Sequence, residues 1–323
     1  MSSRRTRRVL ITVGLGTLLA VLTLNAIAYM HARAMTHFTA GGARTGRPES
    51  LGLGEKVRTL LFGVNVPKPT NALSPADYGL AFEAHKCASS DGVELEAWSV
   101  PCAPSRGLVL LFHGYAACKA AQLPVAKALH ELGHEILMID FRGSGGSSGT
   151  VTTLGVREAE DVAVALAFAA TRSPESPVLY GTSMGSVAIL RAVHAHGVRP
   201  KALVLECPFG RLIDTTRARF ALMGVPAFPS AELLVFWGGF QHGFDGFSHD
   251  AVNYARSVRC PTLLMHGGND PTVSFEQTTE IYDRLGGAKK VVSFPGVRHE
   301  SYLEARPKDW KAAVGEFLGG APR

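Results

Sequence analysis

The chain has 323 residues, enough for one large domain or two small ones. Hydrophobic residues make up 46% and charged residues 19%, which supplies a sizeable core and excludes a disordered chain or a disulfide-knotted mini-protein. The net charge of +6 is unevenly placed: Arg4, Arg5, Arg7, Arg8, Arg33, Arg44 and Arg47 all precede the first acidic residue, Glu49. The rest of the chain is nearly neutral, so no nucleic-acid partner is expected.

Residues 1–8 form a basic leader. The run that follows, Val9 to Met30, is 22 residues long and carries no formal charge. As a helix it would reach about 33 Å, against a hydrocarbon core of roughly 30 Å. This predicts a transmembrane anchor over residues 9–30. Four arginines stand before the span and Arg33 alone stands close behind it, which orients the N-terminus to the cytoplasm and exports the body. The alternative is a secreted protein cleaved near Ala28, since Ala26-Ile27-Ala28 has the pattern of a signal-peptidase site. Residues 31–79, interrupted by Pro48, Pro67, Pro69 and Pro75, read as a spacer and an arm packed on the main domain, with no long element.

From Leu80 to the end the pattern is regular. Leu80 to Cys87 and Val93 to Val100 flank Ser89-Ser90-Asp91-Gly92, a hairpin signal. Short apolar runs follow at Leu108 to Gly114, Ile136 to Phe141, Val178 to Gly181, Ala202 to Glu206, Thr262 to Gly267 and Val291 to Phe294. Such runs suit strands buried on both faces of a parallel sheet. Between them lie helical patterns. In the clearest, Ala159, Val162, Ala163, Leu166 and Ala170 form an apolar stripe, with Arg157, Glu158, Glu160 and Asp161 expected on the polar side. The fold class is therefore α/β, a mostly parallel, doubly wound sheet opened by an antiparallel hairpin. Residues 207–256 interrupt the alternation and predict a small helical cap. Its aromatics, Phe209, Phe220, Phe228, Phe236, Trp237, Phe240, Phe244 and Phe247, are expected either to pack the insert on the sheet or to line an apolar pocket.

The chemistry concentrates in three places. Gly181-Thr182-Ser183-Met184-Gly185 is a G-x-S-x-G motif between a strand and an apolar helix, the context that makes Ser183 a candidate nucleophile. Asp270 follows the strand ending in His266-Gly267, and His299 follows the last strand. The order serine, acid, histidine at the carboxyl ends of strands is that of a nucleophile, its orienting acid and its base. Glu206 also ends a strand and is the alternative acid. An oxyanion hole is expected from the N–H groups of Met184 and Tyr115, with the Tyr115 phenol either binding substrate or packing over the site. His113 and His266, each before a glycine at a strand end, read as braces.

With these motifs in place, Leu80 to Leu318 resembles the α/β-hydrolase superfamily, in its serine-aminopeptidase S33-like, BEM46-like branch. The residues responsible are His113-Gly114-Tyr115, the DFRGSGGSSG run from Asp140, GTSMG from Gly181, HGGNDPTVS from His266 and GVRHES from Gly296. The resemblance implies a serine hydrolase with no metal and no organic cofactor, acting on a small-molecule ester or acyl substrate. An acyltransferase or serine peptidase with the same three residues, or a non-catalytic binding protein on this fold, is the alternative. Met184 stands where proline iminopeptidases carry tryptophan, so proteolysis does not follow from the family. Of the five cysteines, none in a CxxC pair, Cys87 and Cys102 are the disulfide candidates if the domain is exported; otherwise the thiols read as buried and free.

Overall fold

Val109, Leu110, Leu111 and Phe112 are consecutive and all buried, which a strand achieves only when both faces of its sheet are covered. In the computed structural model, which describes residues 2–89 and 91–320, that run is β3 (Leu108–Phe112) of an eight-stranded sheet. The others are β1 (Glu83–Ala88), β2 (Glu94–Val100), β4 (Glu135–Ile139), β5 (Val178–Thr182), β6 (Ala202–Glu206), β7 (Thr262–Gly267) and β8 (Lys289–Phe294). Their spatial order is β1-β2-β4-β3-β5-β6-β7-β8. The first two strands are antiparallel additions, and β4, β3 and β5 to β8 run parallel. Ser90, in the expected hairpin turn, lies outside the described residues.

Two cores sandwich the sheet. Leu110, Phe112, Leu137 and Leu179 face α4 (Glu158–Ala170) and α5 (Met184–Ala195), while Val109, Leu111, Met138 and Tyr180 face α3 (Leu123–Glu131) and the C-terminal helices. The alternation along each strand sends successive side chains to opposite cores, each large apolar one contributing about 1.5–3 kcal/mol. The remaining helices are α1 (Ser2–Thr36), α2 (Leu53–Phe62), α6 (Leu212–Met223), α7 (Ser230–His242), α8 (Ala251–Ala255), α9 (Phe275–Arg284), α10 (Tyr302–Ala305) and α11 (Pro307–Gly320).

The uncharged run Val9 to Met30 lies within α1, which continues to Thr36. Three expectations are revised. The arm holds a ten-residue helix, α2, in the gap between Pro48 and Pro67. On α4, Glu158 and Asp161 are fully buried. Glu158 accepts from both Thr152 and Thr153 hydroxyls and from the N–H groups of Thr153 and Gly155, while Asp161 takes Arg142 through its Nε and Nη2. Their oxygens are met by fixed donors, so burial is tolerated. Finally, the cap aromatics follow neither expected route as a group: Phe209 is buried, but Phe228, Phe236, Phe240 and Phe247 face outward. All five cysteines are free, Cys102 among them and partly exposed.

Candidate active site

Residues at the carboxyl ends of parallel strands share one rim of the sheet. Ser183 follows β5, Asp270 follows β7 and His299 follows β8, so all three start from that rim although they are far apart in sequence. The structure brings their side chains into one row. His299 Nδ1 lies 2.6 Å from Asp270 Oδ2, and His299 Nε2 lies 2.9 Å from Ser183 Oγ. With Nδ1–H donating to the carboxylate, Nε2 is left to accept from the serine hydroxyl.

The local backbone explains why Ser183 projects. It has φ 53° and ψ −113°, outside the regions an L-residue prefers, at the tight turn between β5 and α5. The turn is clamped from both sides: a Cβ on Gly181 would sit 2.6 Å from Ser186 N, and one on Gly185 2.3 Å from Phe112 O. The Ser183 N–H donates to Glu206 O at 2.8 Å, and the Ser186 hydroxyl holds Gly181 O and Glu206 O at 2.7 and 2.9 Å. The strain is therefore over-determined by β6 and the first turn of α5.

Asp270 is held as an anion. Its Oδ1 accepts from Thr272 N, Thr272 Oγ1 and Val273 N at 2.8, 2.8 and 2.9 Å, leaving Oδ2 for the imidazole. Burial alone would raise its pKa, but these donors and His299 outweigh it and hold the carboxyl below the usual range. For His299, burial works against protonation, yet the adjacent Cys207 sulfur and the Asp270 carboxylate prevail and push the imidazole up. Its side chain remains 26% accessible, whereas that of Asp270 is fully enclosed, so the row runs from the interior to an open rim.

Glu206, the alternative acid, is turned away from this row. Trp310 Nε1 donates to its Oε1 at 3.1 Å and Thr182 Oγ1 to its Oε2 at 3.1 Å. Met184 directly follows Ser183, and Gly114, just before Tyr115, would place a Cβ 3.6 Å from Ser183 Cβ. Among the described residues, neither the Met184 N–H nor the Tyr115 N–H donates to another group. The Tyr115 phenol is already committed, donating to Met35 O at 2.6 Å, so it is tied to α1 and does not face a substrate. His113 receives the Phe141 N–H at 3.1 Å and His266 pairs with Thr278 at 3.2 Å. One contributor was absent from the sequence reading: Thr272, detectable as an Asx-turn partner two residues after Asp270. Cys207, whose place after a strand end sets it near the site, lies beside His299. Among the described residues there is no cluster of three or more His, Cys, Asp or Glu arranged to hold a metal.

Comparison with known proteins agrees with this architecture. The model of the family described as serine aminopeptidase, S33, matches residues 103–233 and 240–306. The chain is 30% identical to the uncharacterized protein Rv2307c of Mycobacterium tuberculosis over 75% of its own length and 79% of that protein. It is 25% identical to the lysophosphatidylserine lipase ABHD12 of Macaca fascicularis over 67% of its length, and spans only 57% of that relative. Among solved structures it resembles esterase Pf2001 of Pyrococcus furiosus, with a TM-score of 0.66, 26% identity, and coverage of 79% of this chain and 97% of that one. The sheet order, the strand-end site and these matches lead to one assignment: the chain belongs to the serine aminopeptidase S33 family of α/β-hydrolases.

Proposed function

We propose that this hydrolase cleaves carboxylic esters of apolar acyl groups, with Ser183 as nucleophile, His299 as general base and Asp270 as the acid that orients it. The observation that carries the reading is the imidazole spanning Asp270 and Ser183 at 2.6 and 2.9 Å. As Ser183 Oγ attacks the carbonyl carbon, its proton passes to His299 Nε2, and the Asp270 carboxylate stabilises the imidazolium. The Met184 and Tyr115 N–H groups receive the developing oxyanion. Collapse returns the proton to the leaving alcohol and leaves an acyl-serine. Water, deprotonated by the same imidazole, then releases the acid. The ester class draws support from two similar proteins, one an esterase and one a lysophosphatidylserine lipase.

The same reading gives α1 the role of a retained anchor over residues 9–30, N-terminus cytoplasmic. In it, residues 31–79 form the arm, and residues 80–323 form an exported hydrolase domain with its cap at 207–256. It draws support from an 18-residue window in α1 with a mean hydropathy of 2.1 and no buried share. The direct experiment is labelling of the full-length protein with a fluorophosphonate, alongside turnover of a short-chain nitrophenyl ester. Labelling confined to Ser183, and lost with turnover in Ser183→Ala, is expected. Undiminished turnover in that variant removes the assignment.

A further inference from the structure

From Arg5 through Leu24, α1 is exposed on every side. Its uncharged run from Val9 reaches about 24 Å by Leu24 and about 33 Å by Met30, so a hydrocarbon core of roughly 30 Å extends to the level of residues 25–30. The body begins at that level. Trp237 Nε1 on α7 donates to Asn25 Oδ1 at 3.1 Å, and one turn further Gln241 Nε2 donates to Tyr29 O at 2.9 Å. Both pairs have the same sequence offset, 212, so α7 runs parallel to α1. On the other flank His31 Nε2 meets Leu60 O at 3.0 Å, 29 residues on, and Gly63 abuts Ala34 at the same offset of 29, so α2 also runs parallel to α1. The beginnings of α2 and α7 therefore point back along the free part of α1.

These two helices carry the outward apolar side chains. On α2, Leu53 (80% exposed), Val57 and Leu61 recur every fourth residue and Phe62 (76%) adjoins them. On α7, Phe236 and Phe240 stack outward, and Phe228 (76%) sits in the turn before it. By the offsets above, the helical ones lie level with α1 residues 24 to 33, where the exposed apolar helix meets the body. Tyr29 and Trp237, packed edge-to-face at 5.5 Å, occupy that level too, the depth at which such rings collect in membrane proteins. Beside them opens a basin of about 560 Å³ whose lining holds two cations, Arg33 and Arg157, and no carboxylate, a wall suited to the head-group layer.

We propose that α2 and α7 form a collar around α1 that sits in the bilayer. The continuity of the collar with an exposed, membrane-length helix selects a bilayer over a second copy of the chain as its occupant.

The full-length protein is reconstituted in phosphatidylcholine vesicles with and without acyl chains brominated near the head group. Of the three tryptophans, Trp98 and Trp310 are buried in the hydrolase core and Trp237 is in the collar. Brominated lipid is expected to quench emission, and the quenching to vanish in Trp237→Phe. Absence of quenching in the wild type overturns the collar, and disulfide-independent crosslinking into dimers in its place identifies a second copy as the occupant.

Discussion

Glu206 and Asp270 are buried carboxylates at the same rim of the sheet, closing β6 and β7, which pair with one another. Their environments drive them in opposite directions. Burial raises the Glu206 pKa, and its neighbours, the Tyr180 phenol, the Trp310 indole and the Thr182 hydroxyl, are neutral donors that do not offset it. Asp270 is as enclosed, but two backbone N–H groups, a hydroxyl and an imidazole meet it, and its pKa falls. Position at a strand end does not make a carboxylate chemically active. What separates the two is a partner able to become a cation.

The comparison can be broken by removing parts of it. Both acids matter to turnover only through the serine, so Ser183→Ala sets the floor, with a loss in kcat on the order of 10⁶ in steady-state assays. Asp270→Asn keeps the shape but leaves the imidazole in the wrong tautomer, and a loss of about 10⁴ is expected. Glu206→Gln should stay within about tenfold of wild type, because the glutamate does not touch the imidazole. Equal losses from the two amide variants would erase the distinction. Glu206→Ala should instead cost stability, roughly 1–3 kcal/mol for leaving the Trp310 and Thr182 donors unpaired, read from urea unfolding.

The smallest effect is the most specific. In the proposed mechanism the neutral imidazole is the base, and the folded protein raises the His299 pKa, so kcat/KM should climb with pH and reach half its plateau above the ordinary histidine value. Below that midpoint His299 is protonated and activity is lost. Asp270→Asn and Cys207→Ala should each move the acid limb to lower pH, and Glu206→Ala should move it less. A limb that ignores both Asp270 and Cys207 would mean that some other group titrates.

Much of the fold was legible because its signals are local. Ala202–Glu206 and Thr262–Gly267 are strands with the very bounds of their apolar runs. The helix after Ser183 announces itself by continuous apolar periodicity. Errors arose where a distant partner reversed a local preference. Glu158 and Asp161 have the composition of a solvated face, yet Thr152, Thr153 and Arg142 meet them inside the protein. Phe236 and Phe240 have the composition of a core, and packing by α1 against the other face of α7 leaves them outside.

By itself the sequence determined the classes of element, the turn that strains Ser183, and three strand-end residues of the right chemical types, because apolar periodicity and glycine spacing act over a few residues. Only the tertiary structure decided which of them meet. Placing β6 between β5 and β7 brings Glu206 next to the serine turn through its backbone while its carboxylate points to Trp310. Placing β8 beside β7 lets His299 reach back to Asp270 and on to Ser183. Such pairings join residues as many as 116 positions apart. No local preference encodes them, since they follow from the order in which strands dock to cover both faces of the sheet.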